Sequence, residues 1–202
     1  MKKQLLTLAV LALAAGTASA QATDTLAKIK DRGAVNLGVR DSSGLAFTLG
    51  GGKYVGFHTE MAERIIDDLG KSLGKPLKIN YQVITSQNRI PLIQNGTIDF
   101  ECGSTTNNKA RQKDVDFAFT TYVEEVRIAV KANSGIKSIK DLNGRTVATT
   151  TGTTSVQTLR KNERAGGIDF KEVMGKDHAD SFLLLESGRA DAFVMDGSIL
   201  AA

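Results

Sequence analysis

Three arginines, one histidine and one aspartate carry most of the chemistry this sequence offers. Arg40, Arg89 and Arg111 each lie just beyond an apolar run of strand-like pattern, and hydroxyls accompany them at Ser86, Ser104 and Thr106. A guanidinium grips a carboxylate with paired donors, and each charge-assisted hydrogen bond to a desolvated partner contributes roughly 1.5 to 3 kcal/mol. One arginine is ordinarily a solvated surface charge. Three at one mouth suit a ligand with more than one negative group, and Asp196 opposite suits an ammonium. That combination describes an acidic amino acid.

Other groups are less specific. The loop Thr151-Gly152-Thr153-Thr154-Ser155 stands between a strand and a helix, where free N–H groups and the helix dipole suit a carboxylate or phosphate. Taken alone it is weak evidence, because an ordinary capping turn has the same residues, and Ser104-Thr105-Thr106 before Arg111 also reads as a cap with a surface arginine. His178 and Asp180 invite a catalytic or metal reading. His58 is the only other histidine and lies in another segment, and Cys102 has no CxxC partner, so the expectation is no metal. No G-x-S-x-G nucleophile elbow occurs.

The elements that position these residues follow from periodicity. Residues 24–32 read as a helix closed by Gly33, 34–39 as a strand ending at Arg40, and a Ser- and Gly-rich loop follows. A helix over 56–69 should turn Phe57, Met61, Ile65, Ile66 and Leu69 toward a sheet. Residues 77–84 form a strand. Thr85 or Ser86 then caps a helix that ends at Gly96, and 98–101 is a third strand. The second half repeats the order: strands at 126–130, 146–149, 170–173 and 192–195, a helical turn at 139–142, and helices at 155–164 and around 182–185. Strand–helix alternation of this kind predicts parallel sheets with crossover helices, whose ligands sit beyond the carboxyl ends of the strands. Residues 120–127 would be a hinge between the halves.

One unit is written twice. Residues 92–100, with Gly96 and Asp99, are answered 92 residues later by 184–192, with Gly188 and Asp191. In that register Ser86 falls on His178 and Ser104 on Asp196, so a ligand between the halves meets both sets.

Lys2 and Lys3, an apolar run from Leu5 to Ala15 and the ending Ala18-Ser19-Ala20 are the layout of a cleavable secretory signal. The run is shorter than the roughly 20 residues that span a bilayer. Cleavage leaves 24 basic against 22 acidic residues, a balance that singles out no partner. Without tryptophan or a basic cluster interleaved with aromatics, nucleic acid binding has no support. Cys102 is a lone cysteine in a chain bound for an oxidising compartment: either a buried thiol or one whose partner is absent. A helix begins at Asp196-Gly197-Ser198 and meets the end of the sequence at Ala202, so the reading is that the sequence stops inside a domain.

The chain resembles the periplasmic solute-binding proteins of bacterial ABC importers, the type 3 amino-acid-binding family, most closely its glutamate/aspartate-binding members. The resemblance lies in residues 84–92, 94–97, 152–155, 176–178 and 185–190, and most specifically in Asp99-Phe100-Glu101-Cys102-Gly103-Ser104-Thr105-Thr106-Asn107-Asn108. It implies a two-lobed α/β fold of the type II periplasmic-binding-protein class, with a signal at 1–20, a first lobe at 21–122 and a second, incomplete lobe at 123–202. It further implies a monomeric periplasmic receptor, without cofactor, that passes glutamate or aspartate to a membrane permease driven by ATP hydrolysis. Arg111, Thr106 and Thr154 would hold the α-carboxylate, Ser104 and Asp196 the α-ammonium, and Arg40, Ser86, Arg89 and His178 the side-chain carboxylate. Cys102 would pair with a cysteine in a further C-terminal segment. The alternatives are a dehydratase-like enzyme on the same scaffold, with Asp196 and His178 as acid or base, and the ligand-binding domain of a sensor.

Overall fold

The computed structural model describes residues 24–202; the signal expected at residues 1–20 lies outside them. The first half runs α1 (Thr25–Arg32), β1 (Ala34–Val39), β2 (Phe47–Gly50), β3 (Lys53–Val55), α2 (Phe57–Ser72), β4 (Lys78–Val83), α3 (Arg89–Gln94) and β5 (Phe100–Glu101). Asp24 caps α1 by accepting from the Ala27 N–H at 3.1 Å. β1 is the centre of a parallel sheet in the order β4-β1-β5. Val35, Leu37 and Val39 alternate onto one face of β1 and join Ile29, Ala62 and Ile66 in a core that α1 and α2 cover.

Four local expectations need correction. The loop after Arg40 contains the antiparallel hairpin β2–β3; its strands are short, largely exposed and joined through Gly51-Gly52, which hides any alternation. Helix α2 is rotated from the expected stripe: Ile66 and Leu69 meet the core as expected, but His58, Thr59, Ala62 and Gly70 are buried with them, while Phe57 and Ile65 are 49% and 51% exposed. Close packing selects the small residues, since a Cβ on Gly70 would stand 2.9 Å from the Lys75 carbonyl. Neither Thr85 nor Ser86 caps α3. Thr85 instead exchanges bonds with Asn88, its N–H donating to Asn88 Oδ1 at 2.8 Å and its Oγ1 accepting from the Asn88 N–H at 3.3 Å, which leaves the Ser86 hydroxyl for other partners. The third strand pairs only through Phe100 and Glu101.

Residues 116–125 cross to the second half without helix or strand; the imidazole Nε2 of His58 on α2 lies 3.1 Å from Thr121 Oγ1 on this passage. There follow β6 (Val126–Val130), a 3-10 turn (Ile139–Leu142), β7 (Thr146–Thr150), α4 (Thr154–Gly166), β8 (Lys171–Gly175), α5 (His178–Glu186), β9 (Ala192–Asp196) and α6 (Gly197–Leu200). The sheet order is β6-β9-β7-β8. β7, β8 and β9 pair in parallel, but β6 lies antiparallel along the edge because the chain enters from the crossing segment without a crossover helix. Both faces are covered: Val147, Ala192 and Val194 enter one core, Ala148, Phe193 and Met195 the other. That is why β9 is an unbroken apolar run.

The repeat has a structural counterpart. Gly96 and Gly188 take φ of 75° and 74°. Ile98 donates to the Leu92 carbonyl, and Ala190 to that of Leu184. Asp99 then clips the central strand twice: its N–H donates to the Asn36 carbonyl at 2.8 Å and its Oδ2 accepts from the Asn36 N–H at 2.7 Å. Asp191 does the same to Thr146, at 2.7 Å and 2.8 Å. Each aspartate also faces an arginine, Arg32 or Arg145. Each copy locks a helix end to the start of a neighbouring strand, and so fixes where the opposite strand ends must lie.

Candidate ligand-binding site

Those carboxyl ends carry the site residues. Arg40 follows β1, Ser86 follows β4, Arg89 opens α3, Ser104 and Thr106 lie after β5, and Arg111 begins a 3-10 turn. From the other sheet come Thr154 and His178, the first residues of α4 and α5, and Asp196, the last of β9. Between the two sheets runs a cleft of about 680 Å³, lined on one side by Glu101, Ser104 and Thr106 and on the other by Thr154 and Asp196. Arg40, Arg89 and His178 are not part of its lining and are buried, at 3%, 2% and 7% exposure.

Two clusters join the halves directly. In the first, Arg40 Nη2 donates to Ser86 Oγ at 3.0 Å and lies 2.9 Å from His178 Nε2; the pair that the 92-residue register aligns, Ser86 and His178, approaches to 3.5 Å. In the second, Arg111 Nη1 donates to the Thr106 carbonyl at 3.0 Å and Nη2 to the Gly152 carbonyl at 3.1 Å, while Thr106 Oγ1 and Thr154 Oγ1 lie 3.1 Å apart. Gly152, at φ 80°, makes this approach possible, because a Cβ there would stand 2.6 Å from the Ser86 carbonyl oxygen. Asp196 Oδ1 accepts from Ser155 Oγ at 3.4 Å.

Positive charge dominates the interior. Burial and then neighbouring Arg89 lower Arg40 to about 10, against the partial compensation of Glu101 and Asp177. Arg111 falls to about 10 for the same two reasons, and burial lowers Arg89 as well. Burial, then Arg40 and Arg89, push His178 down to about 3, so its imidazole is neutral at physiological pH. Asp196 is raised, by burial and then by Glu124. Nε and Nη1 of both Arg40 and Arg89 are buried without a hydrogen-bond partner among the described residues. Buried guanidinium donors left unpaired are costly, so these four nitrogens mark where an anion gains most.

Sequence reasoning overlooked several members. Glu101 faces the arginines from β5 and accepts from Thr105 Oγ1 at 2.5 Å; an acid inside the run Phe100-Glu101-Cys102 was its available signal. Thr150 and Ser181, which stand behind His178, gave none, because hydroxyls are common in strands and first helical turns. Cys102 packs partly buried against the first core, and burial beside Glu101 pushes its thiol up to about 11.

Comparison with known proteins fits this geometry. The family model "Bacterial extracellular solute-binding proteins, family 3" matches residues 35–183. The chain is 43% identical over 192 residues to the L-glutamate/L-aspartate-binding protein of Pseudomonas aeruginosa, covering 93% of this chain and 63% of that one. It is 43% identical over 202 residues to the glutamate/aspartate import solute-binding protein of Escherichia coli, covering 96% and 67%. Among solved structures, the solute receptor for L-cysteine of Neisseria gonorrhoeae superposes with a TM-score of 0.77 at 25% identity, over 87% of this chain and 69% of that one. The chain thus spans roughly two thirds of the length of these relatives. The architecture is that of the type II periplasmic amino-acid-binding proteins. A match of this extent, on two sheets whose strand ends face one another, makes the chain a member of the bacterial extracellular solute-binding proteins, family 3.

Proposed function

We propose that this protein is a periplasmic receptor that binds L-glutamate or L-aspartate between two lobes, residues 21–122 and 123–202, and delivers it as a monomer to the permease of an ABC importer. The observation that carries the reading is the set of four unpaired, buried nitrogens on Arg40 and Arg89. A second carboxylate on the ligand supplies acceptors for such donors; an amide or an apolar side chain supplies fewer or none. Arg111, Thr106 and Thr154 would hold the α-carboxylate. Ser104 and Asp196 would hold the α-ammonium, and Arg40, Ser86 and Arg89 the distal carboxylate, with His178 acting through Arg40, because an Nε2 that accepts from a guanidinium has no proton to give a carboxylate. The relatives named for glutamate and aspartate support the same ligand class. Export through the signal at residues 1–20 brings the chain to the compartment where such receptors work.

Its relatives are solute-binding proteins, and the chain is one too rather than an enzyme. The site chemistry agrees: His178 is neutral with Nε2 against a guanidinium, an arrangement for holding charge and not for moving protons. Titration calorimetry with L-glutamate, L-aspartate, L-glutamine and L-arginine tests the proposal. The two acids should bind at least tenfold more tightly than the others, since one charge-assisted hydrogen bond is worth about 1.4 kcal/mol or more. Tighter binding of glutamine or arginine would overturn it.

A further inference from the structure

Behind the predicted ligand contacts lies a chain of hydrogen bonds whose direction is determined at every link. Arg40 Nη2 stands 2.9 Å from His178 Nε2, and a guanidinium can only donate, so Nε2 is the acceptor and carries no proton. The proton of the neutral ring is therefore on Nδ1, which lies 3.1 Å from Thr150 Oγ1. Thr150 accepts it, and its own hydroxyl proton goes to Ser181 Oγ at 2.8 Å. Ser181 in turn donates to the Thr149 or the Asp177 carbonyl, each at 2.9 Å. Thr150 and Ser181 are both fully buried, at 0% exposure, so water does not compete for these bonds.

We propose that Thr150 and Ser181 are positioning residues of the ligand site: their hydroxyls fix His178 as the Nδ1–H tautomer, so that Nε2 presents its lone pair to Arg40 and holds that guanidinium in place for the ligand's distal carboxylate. With the other tautomer, an Nε2–H would face an Arg40 N–H, donor against donor, and the guanidinium would be driven from its place. The low basicity of the buried ring removes the third state, the imidazolium, which would also oppose Arg40. The carbonyl end of the chain gives it its direction, because a backbone oxygen can only accept. The ligand-dependent half of this inference rests on the proposed function; the tautomer does not.

The test is nitrogen NMR of the histidine rings in the purified chain near neutral pH, with the His178 signals among the two histidines assigned by their loss in His178→Gln. The wild-type protein should show a protonated Nδ1 and an unprotonated Nε2. Thr150→Val, nearly isosteric but without the acceptor, should populate the Nε2–H form and weaken L-glutamate binding on the order of tenfold in calorimetry, with a smaller effect on L-glutamine. Thr150→Ser should restore both. A merely structural role would lower the melting temperature without moving the tautomer. An Nε2–H tautomer in the wild type overturns the relay without needing any variant, as does a folded Thr150→Val with unchanged ring signals and affinity. A wild-type Nδ1–H ring in a protein that prefers no acidic amino acid would leave the relay standing and sink the glutamate/aspartate reading instead.

Discussion

The three arginines differ in what surrounds them, and that difference predicts different roles. Each outer nitrogen of Arg111 gives one N–H to a carbonyl, one in each half, and keeps a second N–H for the α-carboxylate that the proposed function places there and that all amino acids share. Arg111→Ala should therefore weaken every amino acid alike in calorimetry, and near-normal glutamate affinity would remove it from the site. Arg89, buried with free donors, should set the preference for acids: Arg89→Gln should lower glutamate affinity more than glutamine affinity, by on the order of tenfold. Equal losses would deny it that role. His178 gives a pH signature. Its folded pKa of about 3 lies below the ordinary 6.5, so the unfolded chain binds a proton that the folded one refuses. This group's contribution is full above 6.5 and is lost as pH falls toward 3, at about 1.4 kcal/mol per pH unit. Asp196 is raised and opposes this at acid pH. Melting temperatures should fall on acidification from neutrality, and His178→Gln should flatten that slope.

At the scale of elements, the two aspartate clips use the same bonds in different surroundings. The Asp99 side chain is 2% exposed, whereas that of Asp191 is 41% exposed with its arginine 3.7 Å away. Removing a buried partner strands its donors, while an exposed pair is screened by water. Asp99→Ala should cost about 3 kcal/mol and Asp191→Ala about 1 kcal/mol in urea unfolding; equal costs would show that burial does not govern these clips. The clips were legible as a repeated motif, and most strands and helices were legible from periodicity. The hairpin at Phe47–Val55 was not, because its short strands expose both faces. The rotation of α2 escaped as well: a hydrophobic stripe is a preference, and the close approach of Gly70 to the turn at Lys75 overrode it. So did the antiparallel direction of β6, though its position at 126–130 was legible, since strand direction follows from how the chain enters a sheet.

For the whole molecule, side-chain hydrogen bonds join the halves, among the described residues, at Arg40 and Ser86 with His178, Arg111 with Gly152, and Thr106 with Thr154. A ligand that bridges the two sides adds bonds to both, so glutamate should raise the melting temperature and reduce the radius of gyration in small-angle scattering. Gly152→Ala tests the geometry of that closure. Its Cβ would need to occupy space 2.6 Å from the Ser86 carbonyl oxygen, in a left-handed backbone conformation that itself costs about 1 to 2 kcal/mol for other residues. Glutamate affinity should drop more than tenfold with circular dichroism unchanged, and the compaction should shrink. Unchanged affinity would place the ligand elsewhere than between these surfaces.

Residue types and spacing determined the class of element at almost every position, the two-fold repeat, and the arginines, hydroxyls and acids that end up at strand termini. These are local properties, written in periodicity and in turn residues. Tertiary structure alone decided which of them meet: that Ser86 turns from capping to Arg40, that His178 offers Nε2 to a guanidinium across 138 positions of chain, and that Thr150 and Ser181 stand behind it. The physical reason is that hydrogen-bond direction and the cost of burying charge depend on which groups share a dry space, and packing alone creates that space.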